Sequence, residues 1–479
     1  MNQKARLIKN NKYETVTTDT ARNPKRVAIF VVTLSSFILP FTATSVNVAL
    51  PSIGTEFAMG LILLGWINNA FLMACMVFLI PFGKLGDIYG CKKIFTGGYW
   101  VLLAASLLIV ISRSGTMVIT CRVLQGFACA MIAATGIPMM ISVVPVSERG
   151  YGLGIITAAV YFGQSTGPFL GGIITQHLGW RFIFWLITLL SLAILAITHF
   201  TLKGDWVEAP GKRFDLRGAV ILAFGLSATM YGFSTLPSTR AVVLVATGIV
   251  GLVFFVFFEM RAGYPLVEIN LFRHNAIFVF SNLATLINHA AIFAVSFLLS
   301  FYLQEVKALT PQSTGLVLVA QPILQALFSP MAGRLSDRIE PRLLASGGMA
   351  FILLGLSMLV FLGADSPLFY VVLCLVILGI GVGLFSSPNT NAVMNSVDRQ
   401  FYGVASATLS TMRQMGNMFS MGIVMISMSL LLGKSGLIPD DAGQFLVSMR
   451  ISLGAFAVLC FGGIFASLGR GNMNRSNAK

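Results

Sequence analysis

The sequence contains few charged residues for its length. Asp, Glu, Lys and Arg make up 10% of the 479 residues, whereas a soluble domain carries about 25%. Only 17 residues are acidic and four are histidine. A chain with so few polar groups cannot cover a globular surface in water, so a soluble protein is excluded.

The ionisable side chains are also scattered, which weighs against an enzyme or a metal site. The four histidines lie far apart, no His or Cys spacing is typical of a metal site, and no glycine-rich Lys loop is typical of ATP binding. Of six cysteines, five fall in apolar runs, so a disulfide framework is not expected. We expect no metal and no cofactor, and a polytopic membrane enzyme is a remote alternative.

Long apolar runs are what the sequence has in abundance, and 56% of its residues are hydrophobic. About 20 residues of helix cross a bilayer, and a helix satisfies its own backbone there. The sequence therefore predicts an all-α polytopic membrane protein with fourteen transmembrane helices. The runs cover residues 27–51, 61–81, 94–111, 117–141, 152–174, 182–200, 216–233, 241–258, 276–303, 314–331, 343–362, 368–385, 403–432 and 445–468.

The basic residues predict the orientation in the membrane. Of 32 Lys and Arg residues, 24 lie on the side that holds both chain ends, six lie on the other side and two lie inside runs. The positive-inside rule places both termini in the cytoplasm, with tails at 1–26 and 471–479. The net charge of +15 then reflects topology and contact with the lipid bilayer, and no nucleic-acid partner is expected.

An internal repeat divides the chain into two halves. The connection after the second run reads "GKLGDIYGCKK" (83–93), and the one after the tenth reads "GRLSDRIEPR" (333–342). Both contain G-x-L-x-D followed by basic residues, at matched places in two sets of six runs. We predict six-helix bundles at 27–202 and 275–470, with two additional helices at 203–274. Such parallel repeats are typical of transporters with a central site.

Several motifs, taken together and in order, resemble the fourteen-helix drug:proton antiporter group of the major facilitator superfamily. They are the 83–93 connection, "RVLQG" (122–126), "GQSTGPFLGG" (163–172), "WRFIFW" (180–185), "FDLRG" (214–218) and "GVASATLSTMRQMG" (403–416). The resemblance covers nearly the whole chain and implies the major facilitator fold in a prokaryotic cell (inner) membrane. It also implies export of small amphipathic organic molecules by proton antiport with alternating access.

The resemblance assigns two sets of residues to gating. We expect Asp87 to latch the outward-facing state by binding a neighbouring helix N-terminus or pairing with an arginine such as Arg399, with Asp337 as its counterpart. A solvated turn residue is the alternative, and the family's usual arginines are Ile88 and Cys91 here. The fifth-helix glycines would form the close contact between the halves, or simply pack tightly. The gating set is Gly83, Asp87, Gly90, Lys92, Gly333, Asp337, Arg338 and Arg399, and the fifth-helix set is Gly163, Gly167, Pro168, Gly171 and Gly172.

Two arginines, Arg122 and Arg413, lie inside apolar runs, where a charge should point to a cavity or a polar partner. The family implicates Arg122 in proton handling; a structural hydrogen-bond hub is the alternative. For Arg413, the family gives less support for a role in proton coupling. The alternative is that Arg413 binds a negative group of the substrate directly.

The proton carrier that this group usually has is missing. The first run reads "TATSVNVALP" (42–51), with Thr42 where the group usually has aspartate, and no carboxylate is clearly mid-membrane. His289 is the leading substitute, because histidine titrates near physiological pH, and Glu305 is a second candidate. A neutral, structural His289 is at least as good an interpretation, and the missing acid also suits a metabolite exporter or facilitator that is not coupled to protons.

A cavity with arginines and without acids favours neutral or anionic amphipaths over cations. Polar and aromatic residues inside the runs are the candidates for lining it, although many of them are expected to join helices instead. No obligate protein partner is expected, because two halves of one chain form a pathway. The candidates are Asn47, Asn68, Asn69, Phe71, Gln125, Tyr161, Gln164, Asn282, Asn288, Gln321, Gln325 and Arg413.

Overall fold

The computed structural model describes residues 22–144, 149–202, 213–263, 265–267, 275–336, 338–397, 402–431 and 442–470. Within these residues the regular structure consists of fourteen long helices. They are α1 (Arg22–Phe57), α2 (Leu61–Tyr89), α3 (Cys91–Val110), α4 (Gly115–Val143), α5 (Arg149–His177), α6 (Arg181–Thr201), α7 (Leu216–Ser234), α8 (Thr239–Glu259), α9 (Ala276–Val306), α10 (Pro311–Leu335), α11 (Pro341–Val360), α12 (Leu368–Asn395), α13 (Tyr402–Leu431) and α14 (Ala442–Leu468).

The predicted helical membrane architecture is confirmed. In the described part of the chain, thirteen helices are long and apolar enough to cross a bilayer. The remaining helix, α5, is continuous over 29 residues, but glycine and polar side chains interrupt its apolar sequence. Because successive helices alternate in direction, both described chain ends, at Arg22 and Arg470, lie at one face, here the near face. The opposite face is the far face.

Two segments that we predicted as connections between helices are partly helical. Gly83 and Asp87 belong to α2, which continues to Tyr89, and Gly333 belongs to α10. The prediction was wrong because it ended each helix with its apolar run, whereas the helix extends past the apolar part. The turn between α2 and α3 is reduced to Gly90, whose φ of 108° suits glycine.

The two six-helix bundles use the same packing scheme. In the first, α1 packs on α5, α2 on α4, α3 on α4 and α3 on α6. In the second, the equivalent helices pair in the same way: α9 with α13, α10 with α12, α11 with α12 and α11 with α14. The halves meet where α2 contacts α13 and α5 contacts α10.

The helices α7 and α8 differ in how far they are buried. Phe233 and Ser234 at the end of α7 contact Phe419 of α13 and Asn69 of α2, so α7 touches both bundles. In the most apolar window of α8, only 17% of the residues are buried. This exposed apolar surface is what contact with lipid requires.

At the far face, a clamp ties the first bundle together. Arg181 pairs with Glu56 through two bonds of 2.7 and 2.6 Å, and Trp180 donates to the same carboxylate at 2.8 Å. Arg181 also donates to the carbonyls of Val110 and Ser112. The first two residues of the "WRFIFW" motif thereby join the ends of α1, α3 and α6.

Candidate functional site

The interface between the halves is very tight where α5 meets α10 at the far face. A Cβ added to Gly172 would lie 2.4 Å from the carbonyl oxygen of Pro311, and one added to Gly315 would lie 2.2 Å from that of Pro168. Only glycine permits such an approach, so these two positions set the separation of the halves. Gly172 and Pro168 of the fifth-helix motif therefore lie at this contact.

The other motif glycines do not face the second half. Added Cβ atoms at Gly163, Gly167 and Gly171 would collide with Phe37, Thr44 and Ser45 of α1. Of our two alternatives for these three glycines, tight packing within one half fits these contacts, and contact between the halves does not. The three glycines, spaced four residues apart, occupy one helix face, whereas Gly172 and Pro168 are each turned about 100° further round the helix.

Hydrogen bonds join the halves at the far face as well. Ser300 donates to the carbonyl of Asn47 at 2.8 Å, and Gln304 donates to that of Val48 at 3.1 Å. His177 of α5 pairs with Gln312 of α10 at 3.1 Å. These bonds hold α1 and α5 against α9 and α10, so the halves are fastened together at this end.

Closer to the near face, polar side chains from both halves come together, and Tyr161, Thr390 and Arg413 among them are half-buried. Tyr161 of α5 accepts a hydrogen bond from Ser329 of α10 at 3.2 Å. Arg413 of α13 donates to Thr390 of α12 at 3.2 Å and lies within electrostatic range of Tyr161. Partial exposure of groups this polar inside membrane-spanning helices indicates a polar space between the halves. We take this group, with Gln164 on the same helix as Tyr161, as the candidate site.

His289 adjoins this site through α13. Its Nδ1 lies 3.1 Å from Oδ1 of Asn417, which is one helical turn beyond Arg413. The side chain is half-buried and within electrostatic range of Arg413. The structure therefore places Arg413 and His289, two of the predicted residues, in one neighbourhood.

Arg122 lies elsewhere, inside the first bundle, and is fully buried. Its guanidinium donates to Oε1 of Gln125 at 3.0 Å and to the carbonyl of Ile67 at 3.1 Å, and it covers the ring of Phe71 at 4.3 Å. Gln125 in turn donates to Ser106 at 2.9 Å. The arrangement is a polar hub that joins α2, α3 and α4, although Nη2 of Arg122 has no partner.

Several predicted cavity amides join helices instead of facing an open space. Asn68 donates to Oδ1 of Asn47 at 2.7 Å, and both side chains are buried. Asn69 links α2 to α7 and α13 through Ser234 and Met425. Asn282 donates to a carbonyl of its own helix. Asn47, Asn68 and Asn69 follow our alternative that such residues join helices, and Asn282 bonds within its own helix.

The remaining predicted residues fall into two groups. Asn288, Gln321 and Gln325 are buried, and Nδ2 of Asn288 has no partner. Glu305 lies in the π-helical turn that ends α9 at the far face and is exposed, so it is not near His289.

The gating residues lie along the near face. Lys92 donates to the carbonyl of Leu202, which ties the start of α3 to the end of α6. Asp87 and Gly90 flank the end of α2, and Gly333 packs against Ser387 of α12. Arg338 follows the end of α10. Asp337 and Arg399 are outside the described residues, so the predicted latch stays a prediction.

Several residues that the structure places at the site or buries were not predicted from the sequence. Ser329 is an ordinary hydroxyl residue in an apolar run, Thr390 lies beyond the end of the run at 368–385, and no spacing marks either residue. Cys75 accepts from Gln414 at 3.1 Å, a contact between residues 339 positions apart. Glu259, at the end of α8, is 3% exposed and accepts from the backbone of Val267 at 2.9 Å. Because Glu259 lies at a helix end, its burial could not be predicted from the sequence.

Comparisons with known proteins agree on one family. The family described as Major Facilitator Superfamily matches residues 32–421 and again 281–471. The riboflavin transporter RibZ of Clostridioides difficile is 28% identical over 84% of this chain and 88% of its own. The cephamycin export protein CmcT of Amycolatopsis lactamdurans is 28% identical over 90% and 91%. A crystal structure of the peptide transporter POT with alafosfalin superposes with a TM-score of 0.69 at 15% identity, covering 95% of this chain and 99% of that one.

Proposed function

The chain belongs to the Major Facilitator Superfamily and is a multi-pass membrane transporter, and from this premise we propose that it exports small amphipathic organic molecules by proton antiport. Relatives named for riboflavin transport and cephamycin export support organic substrates. The excess of basic residues on the near-face side supports cytoplasmic termini. In this proposal a single chain carries out transport, without an enzymatic step and without an obligate protein partner.

One observation carries the substrate proposal. The half-buried site contains the guanidinium of Arg413 beside Tyr161 and Thr390. Among the described residues inside the spans, the buried or half-buried carboxylates lie only at helix ends, as at Glu259. A positive site without a nearby acid attracts anions, tolerates neutral molecules and repels cations. The substrates are therefore neutral or anionic amphipaths.

The path follows from where the halves are joined. Close contacts and hydrogen bonds fasten α5 to α10 and α1 to α9 at the far face. A substrate in this conformation enters the site from the near face, next to Arg413. Separation of the far-face contacts, with closure at the near face, then exposes the same site to the other side of the membrane.

His289 is our proposed proton carrier. It lies beside Asn417 and within electrostatic range of Arg413. A proton on His289 adds a second positive charge beside the guanidinium of Arg413, and antiport requires that the proton and the substrate occupy this site by turns. During antiport, a proton binds from the far side and a substrate binds from the near side, by turns and at neighbouring groups. This alternation couples the two movements.

Transport without proton coupling is the second candidate, and Thr42 favours it. Its hydroxyl is buried and donates to the carbonyl of Ile38 at 2.8 Å, within its own helix. The position therefore has no titratable group, and its hydroxyl bonds within its own helix. In an uncoupled facilitator, His289 would be a neutral structural residue.

The test uses inside-out membrane vesicles with an acidified interior. Riboflavin, the cephamycin cefoxitin and the dication propidium are added in turn, and proton leakage is followed with a pH-sensitive dye. We expect riboflavin or cefoxitin to release protons and propidium to release none. Propidium transport at a rate equal to that of the other two would contradict the substrate proposal. Substrate accumulation without proton movement would select the facilitator.

A further inference from the structure

Side chains of α9, α13, α2 and α4 form one continuous hydrogen-bond chain. It begins at Nδ1 of His289, which lies 3.1 Å from Oδ1 of Asn417. Nδ2 of Asn417 donates to Oε1 of Gln414 at 3.0 Å, and Nε2 of Gln414 donates to Sγ of Cys75 at 3.1 Å. Sγ of Cys75 lies 3.4 Å from Sγ of Cys129.

All the bonds of this chain point in the same direction. Each amide gives a hydrogen to the next group and receives one from the group before it. An amide oxygen can only accept, so Nδ1 of His289 must carry the hydrogen that it shares with Asn417. The remaining ring nitrogen, Nε2, is then the one with a free electron pair.

We propose that Asn417 and Gln414 are positioning residues that hold the proton of neutral His289 on Nδ1 and make Nε2 the atom that binds the transported proton. Uptake at Nε2 gives an imidazolium that keeps its Nδ1–H bond to Asn417. Release from Nε2 restores the same tautomer, so one proton moves per cycle at one atom. This inference rests on the proposed function, in which His289 carries the proton.

The backbone around the chain fixes the geometry. A Cβ added to Gly416 would lie 2.4 Å from the carbonyl oxygen of Leu286 and 2.7 Å from Cβ of His289, so α9 and α13 are in very close contact there. One turn further, Ser420 accepts from the backbone nitrogen of Ala294 at 3.0 Å, where α9 is interrupted. The imidazole and Asn417 are therefore held by their own helices and not by flexible side chains alone.

Few other ionisable groups face His289. Arg413 of α13 is the charged neighbour. The helices α12 and α14, which also pack on α9, contain no acidic residue within their described spans. Arg450 of α14 lies at the far face on the carbonyl of Leu362. The other ionisable side chains of these two helices are Tyr370, Cys374 and Cys460. A hydrogen-bond chain, and not a carboxylate, is thus the means of orienting the ring.

The chain also connects the two halves. Gln414 and Asn417 belong to the second bundle, whereas Cys75 and Cys129 belong to the first. When the N–H of an amide is bonded to an acceptor, the oxygen of the same amide becomes a stronger acceptor for the preceding group. The sulfur of Cys75, three hydrogen bonds away, thereby increases the basicity of Nε2 of His289.

The first test changes Asn417→Asp in the full chain, reconstituted in liposomes, with riboflavin and cefoxitin as probes. A carboxylate beside Nδ1 stabilises the imidazolium, so the pH of half-maximal transport should rise by about one unit. Asn389→Asp is the matched control: this buried amide bonds to Thr285 and Ser281 and is absent from the chain. The same rise in N389D, or loss of transport in N417D with correct folding, would overturn the proposal.

The second test changes the acceptor of Gln414. Cys75→Ala removes this acceptor and should lower the pH of half-maximal transport, whereas Cys75→Ser keeps an acceptor and should restore the wild-type profile. A packing role predicts equal profiles for the two variants, because their side chains are of similar size. Equal profiles would therefore overturn the proposal.

His289→Gln separates failure of this inference from failure of the proposed function. If H289Q abolishes proton movement but N417D and C75A keep the wild-type pH profile, the positioning role is wrong and the proposed carrier stands. If H289Q moves protons with substrate as the wild type does, His289 is not the carrier and both proposals are wrong.

Discussion

At the scale of single residues, burial of a charge does not by itself identify a transport site. Arg122 and Arg413 are both arginines within apolar runs, and their sequences give similar reasons to expect function. Arg122 is fully buried among Gln125, Ile67 and Phe71, whereas Arg413 is half-buried between the halves. In the proposed function, this difference makes Arg122 a structural hub and Arg413 the charge that meets the substrate.

Replacing the partner of Arg122 should therefore affect stability more than specificity. Gln125→Ala leaves Nη1 of the buried guanidinium without its acceptor, which costs about 1–3 kcal/mol. We expect a lower melting temperature in detergent and unchanged preference between cefoxitin and propidium. Gln164→Ala, a half-buried amide of α5, is the stability control and should melt as the wild type does. An unaltered melting temperature in Q125A would contradict the hub.

Replacing Arg413 should have the opposite effect. Arg413→Gln removes the positive charge from the site while retaining a donor for Thr390. Because the charge attracts anions, we expect cefoxitin transport to fall by about tenfold, the effect of about 1.4 kcal/mol, with riboflavin transport much less affected. Initial rates in inside-out vesicles measure both. An equal loss for the two probes would show that Arg413 does not select charge.

At the scale of secondary-structure elements, α5 uses two adjacent faces for two purposes. Gly163, Gly167 and Gly171 allow close packing on α1 within the first bundle, and Gly172 allows close packing on α10 across the interface. The two contacts differ in kind, because the first lies inside one half and the second joins the two halves. A substitution at Gly172 should thus act on the conformational equilibrium.

The variant Gly172→Val adds a side chain where a single Cβ would already lie 2.4 Å from a carbonyl oxygen. It should push α5 and α10 apart and open the far face. We expect a membrane-impermeant maleimide to label Q312C severalfold faster in G172V, in a background without the six native cysteines. Gly462→Val, where an added Cβ meets nothing within 4 Å, is the control. Equal labelling rates in the two variants would exclude the contact as a gate.

At the scale of the whole molecule, the sequence predicts the fold well and the site only in part. Apolar runs and the G-x-L-x-D repeat were sufficient for fourteen helices, because each run must form its own hydrogen bonds in lipid. The site depends on rotation of each helix about its axis, which weak periodicity in apolar helices does not determine. Asn47 and Asn68 thus pair with each other, and Thr390 and Cys75 were overlooked. Their partners lie on other helices, and the sequence carries no mark of those contacts.

The central claim is that His289 couples export to proton movement. The most direct measurement is the number of protons released per molecule of riboflavin or cefoxitin taken up by proteoliposomes with an acidic interior, in the wild type and in H289Q. We predict a fixed, non-zero ratio in the wild type, and in H289Q substrate exchange without net proton release. The same proton ratio in both proteins, or a ratio of zero in the wild type, would contradict the account.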